Sequence, residues 1–167
     1  MLVPFESLPD HARVWVYTST RAFTNAEESW LNAELARFCN QWAAHQVPLH
    51  AGFQIAHHQF IVLAVDEQAN GASGCSIDAS VHALQQIQQH LGVDLFDRKQ
   101  LAFFVNGAVV LYPMTQVAAL INAGTLSGET LYFNHLAADL GSWRRNWLQR
   151  LDQSWLCRYL PKAVAAS

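Results

Sequence analysis

Apolar positions along the chain alternate between strand-like and helix-like blocks. Residues 13–19, Arg-Val-Trp-Val-Tyr-Thr-Ser, are β-branched and aromatic, which predicts a strand. Thr24-Asn25-Ala26-Glu27 then has the spacing of a capping box, with Thr24 as N-cap and Glu27 reaching back to it. The helix behind it is predicted to reach about residue 44. Leu31, Leu35, Phe38 and Trp42 form its inward stripe, and His45 continues that line where Val47-Pro48 stops the helix. Residues 51–66 are too long for one strand and divide at His57-His58 into 51–56 and 59–66. The second of these is apolar on both faces, the pattern of a central strand.

From about residue 76 to 91 the period becomes helical again, with Ile77, Val81, Leu84, Ile87 and Leu91 inward. Residues 101–105 and 108–112 are apolar strands around Asn106-Gly107, a pair that accepts the positive φ angles of a tight hairpin. Residues 113–123 predict a short helix ended by Gly124, and residues 131–133 a last strand. Trp143, Trp147, Leu151 and Trp155 recur every four residues, which predicts a final helix over about 139–160, closed by Pro161. This order predicts a single α+β domain, a mixed and mainly antiparallel sheet with helices packed on it.

The length of 167 residues suits one domain, and 51% hydrophobic with 14% charged residues argues for a packed core. No apolar run reaches the roughly 18 residues of a membrane span, and Met1-Leu2-Val3-Pro4-Phe5-Glu6 lacks the features of a signal peptide. A soluble cytoplasmic protein without membrane contact is the expectation. Charge is uneven: residues 1–138 hold 5 basic and 11 acidic side chains, whereas residues 139–167 hold 5 basic and 2 acidic. Such a tail suits an acidic partner or the acidic part of a second copy in a homo-oligomer, and it equally suits the solvated face of an ordinary helix.

Candidate chemistry concentrates between the strand ending near residue 66 and the helix beginning near residue 76. Asp66, Glu67, Asn70, Gly71, Ser73, Gly74, Cys75, Ser76 and Asp78 lie in that stretch. A strand-to-helix loop of this makeup sets a thiol beside free helix-start amides, where a thiolate or bound anion is favoured, with Ser76 or Asp78 as the natural N-cap. The acids oppose that effect by raising a thiol pKa. His82 is two turns from Cys75, roughly 10 Å along a helix axis, so a catalytic base has to come from His45, His50, His57 or His58. Arg21 could clamp an anion; Arg98 reads as a partner of Asp94 or Asp97 that fixes a turn.

Other chemistries find no support. The three cysteines form no CxxC pair, and Cys39 and Cys157 read as buried fillers in helical patterns. His57-His58 would point to opposite faces of a strand, and HExxH is absent, so no metal or other cofactor is expected. The six tryptophans have the spacing of an inward helix face on an acidic domain, which argues against nucleic-acid binding.

Trp15-Val16-Tyr17, Arg21-Ala22-Phe23, Phe38 with Trp42 and His45, Val65-Asp66-Glu67, Asp94-Leu95-Phe96-Asp97-Arg98, Ser154-Trp155 and above all the Ser-Gly-Cys-Ser-Ile-Asp segment at 73–78 together resemble a small uncharacterised bacterial family. Some of its members carry a name linking them to the ATPase of an ABC transporter. The resemblance covers most of the chain and implies a stand-alone domain of this size. The chain has no GxxxxGK[ST] phosphate loop, so the residues do not support that name.

The expected function is binding of a small polar ligand around Asp66, Glu67, Ser73, Cys75, Ser76 and Asp78, with Arg21 and His45 contributing. One alternative makes Cys75 the nucleophile of an enzyme. Another is a non-catalytic protein that docks through its basic, Trp-rich C-terminal helix.

Overall fold

The computed structural model describes residues 1–68 and 72–162; Asn70 and Gly71 of the candidate loop lie outside the described residues. The fold is α+β, as the sequence predicts. Its elements are β1 (Arg13–Thr18), α1 (Asn25–Gln41), β2 (Ala43–Ala44), β3 (Val47–Pro48), β4 (His50–Ala56), β5 (Phe60–Asp66), α2 (Gly74–Leu91), β6 (Gln100–Val105), β7 (Ala108–Pro113), α3 (Val117–Asn122), β8 (Leu131–Phe133), α4 (Leu140–Asn146) and β9 (Leu148–Arg150). Every pairing between these strands is antiparallel. The chain forms two compact units, one of Met1–Asp97 with His135–Arg145, the other of Arg98–Asn134 with the described residues from Asn146 onward.

In the first unit β5 lies between β1 and β4. Ile61 to Val65 are fully buried, so the run that is apolar on both faces is indeed the central strand. Leu31, Leu35 and Cys39 of α1 and Leu84, Ile87 and Leu91 of α2 share one core with Tyr17, Ile61, Leu63 and Val65. The capping box forms: Thr24 Oγ1 accepts the Glu27 amide at 3.2 Å and Glu27 accepts the Thr24 amide at 2.8 Å. α1 stops at Gln41, earlier than the expected residue 44. Trp42 is already extended, and Ala43–Ala44 pairs with Val47–Pro48 in a small hairpin turning at His45 and Gln46, both at positive φ. His45 is therefore an exposed turn residue and not the end of the helical stripe.

Two expectations for α2 are corrected. Its N-cap is Ser73, three residues before the predicted start. Its inward line near the N-terminus runs through Ser76 and Ser80, while Ile77 and Val81 are half-buried. Small residues face inward there because each serine meets a carbonyl within its own helix turn, Ser76 to Ser73 at 2.8 Å and Ser80 to Ile77 at 2.7 Å.

The second unit carries the sheet β7-β6-β8-β9. The β6–β7 hairpin turns at Asn106-Gly107 with φ of 51° and 77°, as the dipeptide predicts, and Gly124, at φ 76°, follows α3. The predicted helix over 139–160 is not formed. α4 ends at Asn146, β9 adds a strand beside β8, and two 3-10 turns follow at Leu151–Gln153 and Trp155–Tyr159. The four-residue spacing of Trp143, Trp147, Leu151 and Trp155 therefore marks inward positions of a segment that changes conformation three times. Cys157, expected to be buried in that helix, is exposed.

Candidate functional site

β5 delivers Asp66 and Glu67 to the end of the three-stranded sheet. Asp66 accepts the Gln68 amide at 3.0 Å and lies 3.1 Å from His11 Nε2. The Gln68 amide first, and His11 second among the favourable contacts, hold its carboxyl below the ordinary range. Glu67 faces Arg13 across 3.5 Å, and the Arg13 guanidinium also sits 4.9 Å from the Trp15 ring centre. Both acids are thus engaged by side chains from the opening segment of the chain. Nothing in the sequence signals these pairs, since His11 and Asp66 are 55 residues apart.

The first turn of α2 is built from Ser73 upward. Ser73 is extended, with φ −84° and ψ 163°, and its Oγ accepts the Ser76 amide at 3.2 Å. The first intrahelical bond runs from the Ile77 amide to the Ser73 carbonyl at 3.0 Å. The amides of Gly74 and Cys75 precede it, and no carbonyl of the helix is placed to receive them. A side chain at Gly74 would meet no heavy atom of the described residues within 4 Å, and Cys75 is exposed. Ser76 turns inward, and its carbonyl accepts the Trp42 indole N–H at 2.8 Å, tying the end of α1 to the start of α2. Asp78 is the fifth residue of the helix and exposed, so it lies beyond the first turn that it was expected to cap.

Of the expected site residues, Ser73, Cys75 and Ser76 share one turn, with Asp78 directly above. Arg21 is elsewhere. Its guanidinium grips Glu27 through two bonds of 2.9 and 2.8 Å and donates to the Leu91 carbonyl at 2.9 Å, at the opposite end of α2. Sixteen residues separate Leu91 from Cys75, roughly 24 Å along the helix. Arg21 is a fold clamp: it holds the Glu27 carboxyl down at about 2, aided by the Thr24 amide.

No histidine bonds Cys75 among the described residues. His82 lies against Gln86 at 3.2 Å, His58 against Glu28 at 2.7 Å, and His57 and His58 form the turn between β4 and β5. No group of three His, Cys, Asp or Glu side chains among the described residues suits a metal ion, and no described helix is long and apolar enough to cross a membrane. Arg144 and Arg150 of the basic tail are paired within their own chain. Arg144 meets Asp10 at 2.7 Å and Arg150 meets Asp152 at 2.6 Å.

Comparison with models of known families, with curated proteins and with solved structures found no match.

Proposed function

We propose that the chain binds a small polar ligand with anionic character at the first turn of α2. The amides of Gly74 and Cys75 act as donors, and Ser73 and Asp78 edge the site. The supporting observation is the turn itself: two amides that precede the first helical hydrogen bond, space over Gly74 that no described residue fills, and an 18-residue helix whose dipole places partial positive charge there. Asp66 and Glu67 take no direct part in this reading, because His11 and Arg13 engage them. Cys75 contributes its amide, and its thiol needs no base.

Amide chemical shifts followed during titration with inorganic phosphate and with acetate test the proposal. Saturable movement centred on Gly74 and Cys75 is expected. Gly74→Pro deletes one donor at the helix position that best tolerates proline, and the extended Ser73 is compatible with a following proline. This variant should keep its helicity and lose affinity at least several-fold. Unchanged affinity in Gly74→Pro, or shifts scattered over the surface, would refute the site.

A further inference from the structure

The strand edges of this chain are treated unequally. The outer edge of β1 is met at its first two residues by the segment before α4, through the Val14 amide to the Ala138 carbonyl at 3.3 Å and a bridge between Arg13 and Asp139. The outer edge of β4 is met at Ala51 by the first residues: the Val3 amide reaches the Ala51 carbonyl at 2.9 Å, and the Ala51 amide reaches the Met1 carbonyl at 3.1 Å. β9 is three residues long and ends in Arg150, and β2 and β3 have two residues each. β7 is different. Its six residues, Ala-Val-Val-Leu-Tyr-Pro, carry no charge, and among the described residues only β6 pairs with it. Short strands, charges, prolines and covering segments are the usual protections of a sheet edge, and among the described residues β7 has none of them before Pro113 at its end.

The hairpin fixes which backbone groups face outward. A two-residue turn makes Val105–Ala108 a hydrogen-bonded pair, and alternation then makes Phe103–Val110 and Leu101–Tyr112 the next ones. The Met114 amide bonds the Lys99 carbonyl at 2.9 Å, as that phase requires. Val109 and Leu111 therefore direct both their N–H and C=O groups away from β6. Pro113 has the same outward phase and no N–H to offer, which ends the ladder at that point.

We propose that β7 pairs with β7 of a second copy of this chain, antiparallel about a two-fold axis through Val110. The outward donors and acceptors are symmetric about Val110: Val109 meets Leu111 of the second copy and Leu111 meets its Val109, giving four backbone hydrogen bonds. Val110 faces itself as a non-hydrogen-bonded pair. The uncharged strand brings no like charges together, and the two four-stranded sheets become one of eight strands.

Sedimentation over micromolar to millimolar protein tests the association, with a mass that doubles as concentration rises. Leu111→Pro removes an outward N–H and none that bonds β6, so it should return the protein to monomer with its circular dichroism unchanged. Register is read separately by Val110→Cys with Cys75 and Cys157 replaced by serine. Paired Cα atoms about 4.5 Å apart suit a disulfide, so oxidation should link Val110→Cys and should not link Gln116→Cys. A monomer at every concentration overturns the proposal. So does a dimer that crosslinks no better at position 110 than at 116, or one that survives in a folded Leu111→Pro. If that variant misfolds, the crosslinking contrast still decides.

Discussion

The three cysteines show how a residue type means nothing apart from its surroundings. Cys39 is fully buried, and desolvation pushes its thiol up to about 12, whereas Cys75 and Cys157 are exposed. Thiol titration of the native protein should therefore find two fast groups, with the third reacting only on unfolding. A native count of three, or slow reaction at position 75, would contradict this arrangement. His135 makes a second residue-scale case. It lies edge-on to Phe60, with Nδ1 3.5 Å from Thr18 Oγ1, and burial holds it down at about 4 against an ordinary value of 6.5. The folded state thus resists a proton that the unfolded state accepts between those values. The stabilising effect is complete above pH 6.5 and is lost as pH falls towards 4, by up to about 3 kcal/mol. His57, also lowered by burial and then by His58, acts in the same direction. Urea midpoints measured from pH 8 to 4 should fall in the native chain and fall less steeply in His135→Phe.

At the scale of elements, ends are decided by single residues. Ser73 caps α2 at its start, and Gly92, in the left-handed region at φ 63°, closes it with its amide on the Gln88 carbonyl. Ser73→Ala should cost about 1 kcal/mol by loss of the cap. Gly92→Ala should cost a similar amount, about 1 kcal/mol, through backbone strain alone, since a Cβ there meets nothing within 4 Å. Urea denaturation measures both, and a neutral Gly92→Ala would show that the left-handed cap is dispensable. The start of α1 was legible because its capping box is a local, reciprocal contact between residues 24 and 27. The start of α2 was not: Ser73, Ser76 and Asp78 are all competent caps within six residues, and only the extended backbone at Ser73 selects one. The C-terminal segment misled for a related reason. A repeat of four residues reports which side chains turn inward, and here α4, β9 and two 3-10 turns supply those inward positions in succession.

At the scale of the whole molecule, β5 is the element most enclosed by others. It is paired on both edges and buried on both faces from Ile61 to Val65. Its amides should be the last to exchange with deuterium, at rates set by global unfolding. Earlier exchange at β5 than at β6 would reverse that order. The sequence by itself determined the α+β class, the central strand, the break at His57-His58 between β4 and β5, the Asn106-Gly107 turn and the position of the loop that begins α2, because each follows from local periodicity, from strand length or from a residue pair that accepts positive φ. Only the tertiary structure decided that His11 and Arg13 engage Asp66 and Glu67, that Arg21 reaches the Leu91 carbonyl at the far end of α2, and that β7, unlike β1 and β4, has no backbone partner on its outer edge among the described residues. Those outcomes join residues tens of positions apart, or depend on which segment covers which edge. Side-chain type cannot fix them, because any acid accepts any nearby cation and only the packed chain settles which one is near.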